Sequence, residues 1–317
     1  MSPDLRSTLP LLGGYAMAPK DEASAAEFYA ALAGLPIGGL EMPAPADDDA
    51  IDATAVSRLL QPGWVAMLTC VPVVMGHRAA DPARGLASDD EDARGRALAD
   101  VARAAELARR LADEEGTARV AAIEVHSAPS PELGSADSLA RSLATIADWD
   151  LAGAQIVLEH CDALVPEQQP SKGFLTLDDE IAAIRTAGNP EAVGIGINWG
   201  RSAIEGRSTG TPVEHLLAAR EAHLLRALIL SGATGSTTAW GEPWSDAHIP
   251  SRGEDPALEA SAASALGMQE IAASLAAAGP DALRAVKVSV RPRDMPVAAR
   301  VAVARAVLAQ LEATDVV

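Results

Sequence analysis

The chain has 317 residues, 49% of them hydrophobic, with 44 Asp and Glu against 25 Lys and Arg and a formal charge of −19. That is enough apolar material for one large core or two small ones, and so acidic a surface repels a phosphate backbone, which argues against nucleic acid as a partner. Two cysteines, Cys70 and Cys161, belong to no CxxC pair and cannot make a disulfide framework, so a reducing compartment is expected. The first residues lack the pattern of a secretory signal, and no run approaches about 18 uninterrupted apolar residues; a cytoplasmic chain with no membrane span is expected.

Short apolar runs alternate with longer alanine-rich segments along the chain. Residues 11–17 form the first run; Asp21 then opens a helix with Phe28 and Leu32 on one face, which Gly34 closes. The second run, 35–42, precedes a helix over 50–60 stopped by Pro62 and Gly63. The third, 64–75, reads as a long strand followed by a loop at 76–90, after which Ser88 or Asp89 caps a helix ending at Gly116. Runs at 120–126, 154–160 and 193–199 precede helices over 135–152, from Thr176 to Gly188, and from Thr211 to about residue 226. Thr211, Pro212 and Glu214 have the spacing of a capping box. The seventh run, 227–231, leads into a long Gly-, Trp- and Pro-rich loop at 232–254 and a helix over 256–278; the eighth, 285–290, precedes the last helix at 296–313.

Eight strand–helix units, whose strands lack strict polar alternation and so read as buried on both faces, predict a single-domain (β/α)₈ TIM barrel over 1–317 more than an open doubly wound sheet. No GxGxxG follows the first run and no P-loop is present.

In such a barrel, chemistry collects at the C-terminal ends of the strands. Tyr15, Glu41, His126, Glu159, Asn198, Trp199, Arg201, Lys287 and Arg291 fall there, and Asp246 and His248 lie in the loop after strand seven. Each has a plainer reading, as a solvated loop residue, an edge histidine or a turn aspartate. Neighbours on a strand face opposite ways, so with Glu159 inward His160 faces the helix layer. Trp199, Trp240 and Trp244 offer flat faces and N–H donors suited to a sugar ring, or else plug the barrel top. Lys172, Arg201, Arg207, Lys287 and Arg291 would attract an anionic ligand unless they pair with the many carboxylates.

The stretches VHSAPSPELGS after strand four and VLEHCD at strand five resemble the xylose-isomerase-like TIM barrels, the sugar phosphate isomerase/epimerase-like proteins. GLASDDEDARGRA, LEHCD with KGF downstream, and AWGEPWSDAHIP are similar to an actinobacterial branch filed as a domain of unknown function. The resemblance implies a carbohydrate isomerase or epimerase working by proton transfer next to a carbonyl, on a sugar or sugar derivative with an anionic group. Glu159 is then the base, Lys287 the charge that offsets the enediolate, and His126 or His248 the shuttle for the second proton. Tyr15, Glu41, Asn198, Trp199, Arg201, Trp240, Trp244, Asp246 and Arg291 are the expected substrate contacts, with the 232–254 loop folding over the mouth.

Metal-dependent members of that superfamily place a glutamate on strand five, an aspartate and a histidine around strand six, a histidine or glutamine after strand seven and a glutamate on strand eight. Only Glu159 keeps its place; Asn198, Ser231 and Lys287 stand at other positions of that shell. No cofactor is expected on balance, and a divalent metal would need His126, Glu159 and His248 to converge. A β-eliminating lyase and a non-catalytic metabolite binder are the alternatives, with endonuclease the weakest. The expected partner is a small molecule, with no membrane or nucleic acid involved and homo-oligomerisation left open.

Overall fold

The computed structural model describes residues 9–46 and 50–315. Strand β1 (Leu11–Leu12) turns through a 3₁₀ segment at Gly14–Ala16 into α1 (Glu22–Leu32). β2 (Gly39–Pro43) is followed by α2 (Ala53–Leu59), and β3 (Val65–Thr69) by α3 (Val71–Arg78) and α4 (Glu91–Glu115). β4 (Val120–Val125) leads to α5 (Ala136–Ala147), and β5 (Gln155–His160) to α6 (Leu177–Ala187). β6 (Val193–Asn198) runs directly into α7 (Trp199–Gly206) and α8 (Thr211–Glu221). β7 (Leu225–Leu230) precedes a 3₁₀ segment at Pro256–Ser261 and α9 (Met268–Ala278), and β8 (Leu283–Val286) precedes α10 (Val297–Asp315). Each strand pairs in parallel with its sequence neighbour and β1 closes onto β8, giving a closed (β/α)₈ barrel.

The helices start where short polar side chains can take up the free N–H groups of a first turn. Asp21, Asp52, Asp90, Ser135 and Thr176 each accept from the backbone N–H three residues on. The cap of α4 is thus Asp90 rather than Ser88 or Asp89; Asp89 instead accepts from the Ser135 and Ser138 hydroxyls at the start of α5.

Period-two alternation divides the strands between two cores. Leu11, Met67, Ala122, Val157, Ala227, Ile229, Leu283 and Ala285 pack inside the barrel. Their neighbours Leu12, Leu68, Ile123, Leu158, Ile197, Leu228, Leu230 and Val286 pack outward under the helices. Two residues further along, the inner face turns polar: Thr69, Glu124, Glu159 and Lys287 follow Met67, Ala122, Val157 and Ala285, and Glu41, Asn198 and Ser231 are buried polar residues toward the same end. Gly13 completes it on β1, because a Cβ there would come within 2.8 Å of Glu41 and 3.0 Å of Lys287.

Several elements depart from expectation. The apolar run 64–75 is a strand only to Thr69; Pro72, in the first turn of α3, has the φ a helix start needs and no N–H to leave unpaired. Residues 76–78 accordingly belong to a helix rather than to the 76–90 loop. Thr211 lies inside α8, whose cap position is Gly210, so the expected capping box does not form. The helix expected over 256–278 is split at Ala262 into the 3₁₀ segment and α9. No helix among the described residues is long and apolar enough to cross a membrane.

Candidate active site

Arg201 organises the C-terminal end of the barrel. Asn198 ends β6 and caps α7, accepting from the Arg201 N–H at 3.3 Å, and this turn directs the arginine side chain back over the barrel. Its Nη1 lies 2.5 Å from Glu159 Oε2 and 3.3 Å from Cys161 Sγ, and its Nε lies 3.1 Å from Asp246 Oδ2. Glu159 also meets His126 Nε2 at 2.8 Å and accepts from Asn198 Nδ2 at 2.9 Å. Burial works to raise the Glu159 carboxyl, but Arg201, Lys287 and His126 together hold it well below its usual value. His126 is lowered by burial against the pull of Glu159, and its Nδ1 is buried with no hydrogen-bond partner.

Asp246 is the second carboxylate on that guanidinium. It takes Lys172 Nζ at 3.0 Å and lies 3.4 Å from His248 Nδ1, which also meets Ser231 Oγ at 2.9 Å. Asp162 sets up the Lys172 contact by accepting from the Ser171 and Lys172 backbone N–H groups at 2.7 and 2.9 Å. Burial brings the His248 imidazole down to about 3, Asp246 only partly opposing, so the ring is neutral at physiological pH. His248 holds φ at +53°, a left-handed conformation uncommon outside glycine that clusters at functional sites.

A cavity of about 1160 Å³ opens over this side of the mouth, with Tyr15, Trp240, Asp246, His248, Ser289 and Arg291 in its wall. The 232–254 loop brings His248 there. Paired Gly232–Ile249 backbone bonds anchor the loop, and the Ser289 N–H bonds to the His248 carbonyl at 2.7 Å. Trp240 donates its indole N–H to Ser289 at 2.9 Å and carries the Arg291 guanidinium 5.8 Å above its ring. Beneath Tyr15, Lys287 pairs with Glu41 at 2.5 Å, and Tyr15 O–H lies 3.4 Å from the same carboxylate. Burial would neutralise the ammonium, but Glu41, Tyr15 and Glu159 keep it charged.

Among the residues singled out from sequence, Glu41, His126, Glu159, Asn198, Arg201, Asp246, His248 and Lys287 are joined by direct side-chain contacts in two groups, and Tyr15, Trp240 and Arg291 line the cavity. Trp199 is elsewhere: as the first residue of α7 it is buried in the core between sheet and helices. Trp244 is absent from the cavity wall and stacks under Arg207 with its ring against Gly235. Glu124 was passed over inside an apolar run. Its place two residues before His126 puts both on the inner face, and burial, then Glu159 and Glu41, push its carboxyl well above the usual range. Cys161 and Ser231, named from the sequence without a role in the site, contact Arg201 and His248, and neither carries a sequence signature for it.

The donors at the mouth do not fit a divalent metal. His248 directs its nearer ring nitrogen at Ser231 and Asp246, and Arg201 bridges the two carboxylates a bound cation would need. The trio His126, Glu159 and His248 is therefore not assembled; among the described residues the convergent donor set is His160, Glu205 and His215.

Residues 11–303 match the family described as Domain of unknown function (DUF4862). The chain belongs to that family. An uncharacterized protein of Salmonella typhimurium is 35% identical over 249 residues, covering 76% of this chain and 77% of its own. D-psicose 3-epimerase of Clostridium cellulolyticum H10, solved with D-tagatose, superposes with a TM-score of 0.57 at 15% identity, over 97% of this chain and 98% of its own. A xylose isomerase domain protein of Alicyclobacillus acidocaldarius gives 0.53 at 17% identity, over 96% and 97%. At these identities the structural matches establish the (β/α)₈ fold alone.

Proposed function

We propose that this DUF4862 chain is an isomerase or epimerase of a sugar derivative, moving a proton on or off carbon next to a carbonyl. The observation that carries this reading is that one guanidinium, Arg201, ties together two histidine–carboxylate pairs, His126 with Glu159 and His248 with Asp246. Isomerisation needs a proton taken from one carbon and returned to its neighbour, and epimerisation needs it returned to the opposite face. Two neutral imidazoles, each aligned by a carboxylate, supply such groups.

His248 is the base presented to the cavity. Ser231 and Asp246 hold its Nδ1 side, and the neutral ring takes a proton from substrate carbon as the electron pair moves into the carbonyl. The resulting enediolate is offset by the cations Lys287 and Arg201, which are fixed in a low-dielectric setting before the reaction begins. His126, turned by Glu159, hands on the second proton through its unpartnered Nδ1. Glu159 is then a positioning group rather than the base, because its oxygens already accept from His126, Asn198 and Arg201. Shared fold with an epimerase that holds a ketose supports the sugar class.

An anionic substituent fits Arg291, which stands in the cavity wall against Trp240, whereas Arg201 and Lys287 are fully buried and lie outside that wall. The test is a panel of ketoses, aldoses and their carboxylate, phosphate and sulfonate derivatives, scored for products of unchanged mass. Turnover of an anionic member, with selectivity over its neutral analogue lost in Arg291→Ala, is the expected result. Products of lower mass, or no turnover across the panel, would contradict it.

A further inference from the structure

We propose that His160, Glu205 and His215 form a binding site for a divalent transition-metal ion, Zn²⁺ by the character of its donors, on the outer side of the barrel. The site is separate from the mouth. His160 follows Glu159 on β5 and therefore faces the opposite way, toward the helix layer, where Glu205 of α7 and His215 of α8 reach it.

Both imidazoles point Nε2 at the same carboxylate. His160 Nε2 lies 3.1 Å from Glu205 Oε2, and His215 Nε2 lies 3.6 Å from Glu205 Oε1. The second distance is too long for a hydrogen bond. Both are near the spacing of about 3.3–3.5 Å that Zn–N and Zn–O bonds of about 2.0–2.2 Å give a tetrahedral site, and the three donors lie within 4.8 Å of one another, a spread that small side-chain rotations close onto one ion. The two rings sit edge to face with centroids 4.8 Å apart, as two imidazoles converging on one centre do.

The other nitrogen of each ring is already held. His160 Nδ1 meets Glu180 Oε2 at 2.8 Å, and Glu180 in turn accepts from the Ser127 hydroxyl at 2.5 Å. His215 Nδ1 meets Ser202 Oγ at 3.0 Å. Glu180, an acceptor, holds the His160 proton on Nδ1 and turns Nε2 toward a metal, the carboxylate–histidine–metal relay, while the Ser202 hydroxyl orients the His215 ring. Glu205 is itself aimed by the Ala163 N–H at 2.8 Å. Two imidazoles and one carboxylate make a borderline-soft set that favours Zn²⁺ over Mg²⁺ or Ca²⁺. Glu205 and His215 keep 16% and 14% of their side-chain surface exposed, which gives the ion a way in and a fourth position for water.

An ion here would pin α7 and α8 to the end of β5. The same residues without a metal form a proton-linked network, in which Glu180 and then Glu205 raise the His160 imidazole to about 10 against the effect of burial.

The experiment titrates the metal-stripped full-length protein with Co²⁺, following the d–d absorption of a tetrahedral complex, and then with Zn²⁺ in competition. One ion per chain is expected, with a higher melting temperature when it is bound. His215→Gln, confirmed as folded by circular dichroism, should bind at least about 100-fold more weakly, and Glu180→Gln about 10–100-fold more weakly. The double variant His126→Asn/His248→Asn should bind as the wild type does. No uptake by the wild type at micromolar metal, uptake unaffected by His215→Gln, or uptake lost in the double variant at the mouth would each overturn the proposal.

Discussion

Arg201 and Glu159 face each other at 2.5 Å with both side chains closed off from solvent. Breaking a buried pair by removing one partner strands the other charge, at a cost of about 3–5 kcal/mol. Arg201→Met should therefore lower stability by about that amount in urea denaturation, since Glu159 loses its paired guanidinium and Asp246 is left with Lys172 alone. Adding Glu159→Gln to Arg201→Met should recover part of the loss. Equal stability of wild type and Arg201→Met would show that the pair contributes nothing.

Acid should act through His248. Its folded value of about 3 lies below the ordinary 6.5, so between these limits the unfolded chain binds a proton that the folded chain refuses. Stability rises with pH wherever the unfolded state binds more protons, and it is lost as pH falls from 6.5 toward 3. Compared with His248→Asn, the wild type should lose about 1.4 kcal/mol more per pH unit in that range. Parallel stability–pH curves for the two proteins would be the contrary result.

Gly13 makes room for the Lys287–Glu41 pair. Gly13→Ala places a methyl 2.8 Å from the Glu41 carboxylate and 3.0 Å from Lys287 Cγ, both inside the barrel. A loss of about 1–3 kcal/mol in thermal or chemical unfolding is expected from such overpacking. A glycine-to-alanine change at exposed Gly76 meets no atom within 4 Å and serves as the contrast for crowding.

The two tryptophans should separate. Trp240 stands in the cavity wall, so Trp240→Phe, which also removes the N–H given to Ser289, should weaken ligand binding with little effect on folding. Trp199 is in the core, so Trp199→Ala should cost about 3–5 kcal/mol of stability. Calorimetric binding on one side and urea denaturation on the other distinguish the two roles.

The barrel was legible because its signals are local and repeated: an apolar run followed by a helical stretch eight times over, with capping side chains such as Asp21 and Thr176 and stop glycines such as Gly116 and Gly188 marking boundaries. The rim could be read as well, since strand ends order the residues around it. Side-chain direction could be read only where two residues share a strand, as Glu159 and His160 do. Trp199 was misplaced because a new helix begins directly at the end of β6, so that its ring packs outward. Glu124 was hidden by its apolar neighbours, although its distance from His126 was the signal. Arg201 was expected to meet a ligand, and its actual partners Glu159 and Asp246 are 42 and 45 residues away, brought to it by the pairing of β5 with β6 and by the loop after β7.

Proton transfer by the coupled histidine pairs is tested most directly by deuterium wash-in. A substrate found in the panel is turned over in D₂O and followed by NMR at the carbons flanking its carbonyl. Wild type should place solvent deuterium at the reacting carbon, and His248→Asn should slow that exchange by about two to four orders of magnitude while still binding the ligand. Exchange at the wild-type rate in His248→Asn, or conversion with no deuterium incorporated, would contradict the assignment.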